Sequence, residues 1–247
     1  MSLLVNQLAA AADARDPVQS LVALRSAVVG PIRFTTSFGL EDQVITHLIA
    51  SHDVAIDIVT LDTGRLFPET VQVWAETEAR YQRRIRAVIP DATDVEALLD
   101  EQGSLGFRLT VAARQRCCQV RKVDPLRRAL AGAAGWVTGL RADQSTARAE
   151  VALVSFDPGF GLIKLNPLLR WSREEVVRFA AAHHVPINGL HAQGYLSIGC
   201  APCTRAIAPG EPERAGRWWW EDDAKKECGL HLAPDGRLVP SLVGAGS

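Results

Sequence analysis

Residues 31–50 read PIRFTTSFGLEDQVITHLIA, and the fold follows from how that stretch divides. Residues 31–38, with Ile32, Phe34, Thr35, Thr36 and Phe38, read as a buried strand that ends at Gly39. Residues 40–50, LEDQVITHLIA, read as a helix. The pattern then repeats. VAIDIVTL (54–61) is a second strand, Asp62-Thr63-Gly64 a turn, and Pro68-Glu69 the first turn of another helix, where proline loses no hydrogen bond. RRIRAVIP (83–90), GWVTGL (135–140) and GLIKLNPL (161–168) are further strands. Ser172 and Glu175 form a capping box that opens the helix REEVVRFAAAHH. Strands alternating with helices predict an α/β domain with a mainly parallel, helix-flanked sheet.

The flanks differ in texture. Residues 1–30 read as helical, with Asp16-Pro17 breaking the run. After about residue 185 glycine, proline, cysteine and tryptophan become frequent and periodicity fades. The expected organisation is a helical segment (1–30), an α/β domain (31–205), and an irregular C-terminal segment with a mobile tail (206–247).

At 247 residues, with 47% hydrophobic and 22% charged side chains, the chain can bury a sizeable core and is not a disordered polymer. Lys plus Arg is 27 and Asp plus Glu is 28, so no global basic field holds nucleic acid. No apolar run is long enough to span a bilayer, and residues 1–20 lack the basic region and apolar stretch of a signal peptide. The expected location is the cytoplasm, with no membrane partner.

Two turns sit at strand ends, where α/β sheets bind ligands. In TTSFGLEDQV (35–44), Gly39 is expected to turn the backbone tightly and the helix start to attract an anion. In LDTGRLFPET (61–70), Asp62 and Thr63 can cap, Gly64 turns, and Arg65 can pair with phosphate. Neither turn is a Walker A loop or a G-x-G-x-x-G fingerprint, and each alone is also an ordinary connection. GLRADQSTAR (139–148) adds Arg141 and Arg148, whose planar guanidinium groups suit oxyanions.

The five cysteines carry the sharpest signal. Cys200-Ala201-Pro202-Cys203 has metal-ligand spacing; alone it fits zinc or a redox pair. Cys117-Cys118 is an adjacent pair whose side chains diverge on a helix; alone it fits buried small hydrophobes. Together the four favour an iron–sulfur cluster over zinc, and zinc over a redox disulfide. Around them RQRCCQVRKVDPLRR (114–128) is locally basic, and Lys122 can offset the thiolate charge and face an anion. Cys228, in KKECGLH (225–231), is the leftover thiol, close to Lys225, Lys226 and His231. In ERAGRWWW (213–220) Arg214 and Arg217 precede three tryptophans, which read as packing residues.

TSFGLED, LDTGRLFPET, CCQVRKVDPL, GLRADQS, GCAPCT and KKECGLH, in this order, resemble the assimilatory sulfonucleotide reductases over residues 30–235. With both cysteine pairs present, the chain is similar to the cluster-bearing branch that acts on adenosine 5'-phosphosulfate (APS). The branch without them prefers the 3'-phosphorylated nucleotide (PAPS). The resemblance implies an adenine nucleotide alpha hydrolase-like fold and a 4Fe–4S cluster on Cys117, Cys118, Cys200 and Cys203. Cys228 is implied as the nucleophile, passing through an S-sulfocysteine that thioredoxin or a glutaredoxin-like protein reduces. Ser37, Phe38, Gly39, Glu41 and Asp42, with Leu61, Asp62, Thr63, Gly64 and Arg65, are implied to hold adenosine and phosphate. Lys122, Arg141, Arg148, Arg214, Arg217 and His231 are implied around the oxyanions. The setting would be sulfate assimilation and cysteine biosynthesis; a homo-oligomer is compatible with it. The alternatives are a PAPS or dual-substrate reductase and a nucleotide-binding zinc protein. An ATP pyrophosphatase ranks low, since residues 37–42 read SFGLED in place of its Ser-Gly-Gly-x-Asp-Ser loop.

Overall fold

The structure, a computed structural model, describes residues 2–145 and 148–221. Its centre is a six-stranded sheet of β1 (Ile32–Thr36), β2 (Asp57–Leu61), β3 (Arg86–Val88), β4 (Gly135–Val137), β5 (Val154–Asp157) and β6 (Leu162–Leu165), in the order β3-β2-β1-β4-β6-β5. All pairings are parallel except β5 with β6. From β1 the chain builds outward to β3, then returns to lay β4 on the other side of β1. The order therefore reverses between β1 and β4, which opens a crevice at their carboxyl ends.

The helices are α1 (Ser2–Ala11), α2 (Pro17–Ala27), α3 (Leu40–Ser51), α4 (Pro68–Tyr81), α5 (Ala92–Gln102), α6 (Val111–Cys118), α7 (Asp124–Leu130) and α8 (Arg173–Ala182). Strand alternation sorts the core between two faces. Phe34, Val137 and Ile163 pack with Leu24, Ile45, Ile49 and Val176 from α2, α3 and α8. Trp136 and Leu162, one residue out of phase, pack with Leu126 and Leu130 of α7. Every residue of β4 and β6 is buried, as a sheet covered on both faces requires.

The expected strands all form, each shorter at one end or both. β5 and α5 are additional. β5 is an antiparallel edge strand whose hairpin turn is held by Asp157, which accepts from the backbone N–H groups of Gly159 and Phe160. The break at residues 16–17 is a helix start, with the Asp16 carboxylate accepting from the Gln19 N–H. The capping box at α8 closes in both directions between Ser172 and Glu175. Leu8, Leu21 and Leu24 put the N-terminal helices into the main core.

After α8 regular structure ends, yet the chain stays docked. The Arg205 N–H reaches the Gly216 carbonyl at 3.0 Å, and the Trp218 N–H reaches the Cys203 carbonyl at 3.0 Å. Residues 189–221 thereby lie across the crevice and against the cysteines. Among the described residues no helix is long and apolar enough to cross a membrane.

Candidate active site

The crevice at the ends of β1, β2 and β4 is a cleft of about 1350 Å³ including its open mouth. The turn after β1 forms one wall. Phe38 takes φ 58°, and it is this residue, not Gly39, that makes the tight turn; Gly39 is extended at φ −70°. Phe38 is buried and stacked on Trp74 at 5.5 Å, which holds a backbone shape that a free chain would avoid. The Asp42 carboxylate accepts from the Ser37 N–H at 2.6 Å and its hydroxyl at 2.7 Å. Burial pushes the Asp42 carboxyl up to about 6 even against those two bonds. Ser37, Phe38, Gly39, Glu41 and Asp42 all line the cleft. Across from them is Gly139, where a Cβ would lie 2.1 Å from Asp42 Oδ1.

The turn after β2 divides its residues. Leu61 and Thr63 line the cleft. Asp62 accepts from the Gly64 N–H and Thr63 Oγ1 from the Arg65 N–H, so both caps hold the turn itself. Gly64 supplies the left-handed residue at φ +68°. Arg65 points away from the cleft. It donates to the Ser104 carbonyl, lies 4.8 Å from the Phe107 ring centre, and faces the cysteines.

Those cysteines surround a second, smaller cavity of about 370 Å³. Cys117 and Cys118 end α6. A π-helical turn, Gln119–Val123, follows and runs into Asp124-Pro125, where proline supplies no N–H for a regular helical bond. Cys200 precedes and Cys203 ends a single 3₁₀ turn whose Ala201 N–H is tied to the Arg65 carbonyl. All four thiols are free and buried. Burial pushes Cys203 up to about 12 and raises Cys117, against the pull of Lys122 and Arg217 on the former and Arg65, Arg121 and Lys122 on the latter. Among the described residues no three His, Cys, Asp or Glu side chains converge on one point as a single metal ion requires. The donor set suits a larger thiolate-held group: four buried sulfurs around one cavity, with arginine and lysine walls to offset their charge.

The two cavities share a wall. Lys122, Cys200 and Arg217 line both. Thr63 Oγ1 lies 3.3 Å from Cys200 Sγ, joining the turn after β2 to the thiols. Arg217 packs so closely over Gly199 that a Cβ there would fall 2.3 Å from its Nη2.

Arg148 and Arg214 also line the cleft, and Arg148 donates to Gln144 at 2.6 Å. Arg141 does not. It is fully buried, donating to Glu41 at 2.7 Å, to Glu213 at 2.7 Å and to Asp143. Its work is to tie the start of α3 to the returning segment beside Arg214. Cys228 and His231 lie outside the described residues. Trp218 is buried against the thiols, and Trp220 packs on Phe107. Thr138, Trp136, Gln144 and Glu213 line the cleft as well, and nothing in the motifs marked them. For Trp136 and Thr138 the available signal is position, in and just beyond β4.

Known proteins resemble this chain in sequence and fold. Residues 31–206 match the phosphoadenosine phosphosulfate reductase domain. Adenosine 5'-phosphosulfate reductase of Agrobacterium fabrum is 54% identical over 200 residues, 81% of this chain and 77% of its own. The Allochromatium vinosum protein of the same name is 52% identical, covering 81% of this chain and 78% of its own. The crystal structure of the phosphoadenylyl-sulfate reductase from Candida auris, a phosphate complex, superposes with a TM-score of 0.66 at 25% identity, covering 78% of this chain and 90% of that one. With a family match over most of the chain and relatives above half identity, the chain belongs to the phosphoadenosine phosphosulfate reductase domain family.

Proposed function

We propose that this chain reduces adenosine 5'-phosphosulfate to sulfite and AMP, with thioredoxin as the electron source, in the cytoplasm. The observation that carries this reading is the shared wall, where Lys122 and Arg217 face both the cleft and the four thiols. The relatives named for this substrate support the choice of nucleotide. The domain spans 31–205, and the segment 206–247 brings Cys228.

The chemistry must bring a thiolate to a sulfur already surrounded by oxyanions. Lys122, Arg148, Arg214 and Arg217 lower that repulsion, most effectively in a cleft with little water. The phosphosulfate lies among them, and the nucleoside lies against Ser37–Asp42, Leu61 and Thr63. Cys228 thiolate attacks the sulfate sulfur. A bond forms between Sγ and that sulfur, and its bond to the bridging oxygen breaks. AMP leaves with the electron pair, and Cys228 carries a sulfonate. One thiolate of a reduced dithiol protein then attacks Cys228 Sγ, and sulfite departs with the electron pair of the broken S–S bond. The second thiol of the dithiol resolves the mixed disulfide and returns Cys228 as a thiol. The two electrons come from the dithiol, which ends as a disulfide. His231 assists at the oxyanions.

Cys117, Cys118, Cys200 and Cys203 would hold a 4Fe–4S cluster. When bound, such a cluster would supply negative charge close to Lys122 and Arg217 and a covalent link between the two cysteine segments. Thiolates holding such a group would carry negative charge, which Arg65, Arg121, Lys122 and Arg217 on the cavity wall would offset.

The test is sulfite release by protein purified without oxygen, with APS and PAPS compared in the presence of reduced thioredoxin. Release from APS that vanishes in Cys228→Ser, with iron content and AMP binding kept, is the expected result. Equal sulfite from Cys228→Ser overturns the assignment, and faster turnover of PAPS overturns the choice of substrate.

A further inference from the structure

A carboxylate is an odd wall for a cleft that takes an anion, and Glu213 is one. Its charge repels the ligand unless it is already matched and the side chain does other work. The match is Arg141. Glu213 Oε2 accepts from Arg141 Nη2 at 2.7 Å, and Glu213 Oε1 lies 3.8 Å from Nη1 of Arg173, the first residue of α8. Arg141 is fully buried, and its other two nitrogens donate to Glu41, in the first turn of α3, and to Asp143. All three guanidinium nitrogens are thus committed to carboxylates, and Arg141 serves the cleft only through what it holds.

What it holds leads directly to a cation. The residue after Glu213 is Arg214, on the cleft wall. Two tight turns carry the chain onward: the Ala215 N–H donates to the Pro212 carbonyl at 2.9 Å, and the Arg217 N–H to the Arg214 carbonyl at 2.9 Å. The far end of this segment has a separate anchor. The Arg205 N–H bonds the Gly216 carbonyl, Thr204 pairs with Arg217 in an antiparallel bridge, and Gly216 has no room for a Cβ against the Arg205 carbonyl. Backbone contacts on the cysteine side therefore place Arg217. Arg214 lies between the two anchors, next to the ionic one.

We propose that Glu213, locked by Arg141, sets the position of Arg214 on the cleft wall and so determines how strongly the cleft holds the sulfate end of its nucleotide. Glu213 and Arg141 are positioning residues that act through Arg214. The inference rests on the reading of the cleft as the APS site. A pair that only braced the fold would weaken every nucleotide alike. A pair that places Arg214 weakens APS and spares AMP, which lacks the sulfate.

The experiment is calorimetry of APS and AMP on the holoprotein carrying Cys228→Ser, so that no sulfonate forms. We expect Glu213→Gln to lower the ratio of APS to AMP affinity by about fivefold or more, with AMP affinity within about twofold of the parent. Arg141→Lys, which keeps the charge and loses the fork, should lower the ratio in the same direction. In protein that also carries Arg214→Met, Glu213→Gln should change the ratio by less than about twofold, because both substitutions remove one contact. A ratio that Glu213→Gln leaves unchanged overturns the proposal. So does an equal fall for AMP and APS, or a full effect that persists without Arg214. If the parent binds APS no more tightly than AMP, the reading of this wall as the sulfate site falls first, and the positioning role with it.

Discussion

The turns after β1 and β2 look alike in sequence and are used differently. Each follows a buried strand, contains a glycine and leads to a helix with acidic residues in its first turn. Ser37–Asp42 turns entirely toward the cleft. Leu61–Arg65 is split: Leu61 and Thr63 face the cleft, Asp62 closes the turn, and Arg65 serves the thiol cavity. The difference comes from what lies behind each turn. Behind the first is the packed core of α3 and α4. Behind the second are the Cys200–Cys203 loop, which binds the Arg65 carbonyl, and Arg121, which donates to the Thr63 carbonyl.

If that contrast is right, the first turn governs nucleotide binding and the second governs the junction with the cysteines. The largest effect should come from Asp42. The folded carboxyl holds its proton up to about pH 6, whereas a normal one releases it near 3.8. In that window the folded chain binds more protons than the unfolded one, so stability falls as pH rises from 4 to 6. The fall is of the order of 3 kcal/mol. Anionic nucleotide in the cleft opposes the charged form further, so AMP should bind more tightly below pH 6 than above it. Thermal unfolding and AMP titration across pH 4–8 test both, and Asp42→Asn should flatten both profiles. Unchanged slopes in that variant would remove Asp42 from the account.

Gly139→Ala comes next. Its Cβ would drive into Oδ1 of Asp42, a carboxylate whose other oxygen is held by Ser37, at a cost of about 1–3 kcal/mol. AMP affinity should drop by about tenfold, read by calorimetry. Arg65→Met should lower the melting temperature by only about 2–4 °C, through loss of the Ser104 bond and the Phe107 contact. It should reduce iron uptake on reconstitution and leave AMP affinity within about twofold. A large loss of AMP affinity would erase the contrast between the turns. The smallest effect is Asp62→Ala, which removes one exposed turn bond. About 0.5 kcal/mol, or roughly 1–2 °C, is expected, with nucleotide binding unchanged.

Much of the fold is legible in short stretches of the chain. The strand at 31–38 and the helix at 40–50 follow from local residue choice, as does the capping box at Ser172. β5 is not legible in this way, because VSFD is short and its identity depends on a hairpin with β6. At the site, strand-end position marks Ser37–Asp42 well. It misplaces Gly39 as the turning residue, since the strain at Phe38 is sustained by Trp74, which lies 36 positions away. Arginine identity misleads in two places. Arg65 and Arg141 have the chemistry of an oxyanion binder, but Ser104 and Phe107 hold the first, and three carboxylates occupy the second.

The sequence alone determined the alternation of strands and helices, the strand ends where a ligand can bind, and the two cysteine pairs, because these depend on neighbours a few residues apart. Only the tertiary structure decided which cations face the cleft, which face the thiols and which are spent on carboxylates. The deciding contacts join residues far apart in the chain: Arg141 with Glu41 across 100 positions, Arg114 with Glu221 across 107, and Thr63 with Cys200 across 137. A buried guanidinium goes where a carboxylate or carbonyl satisfies it, and that partner is chosen by how the sheet brings distant segments together.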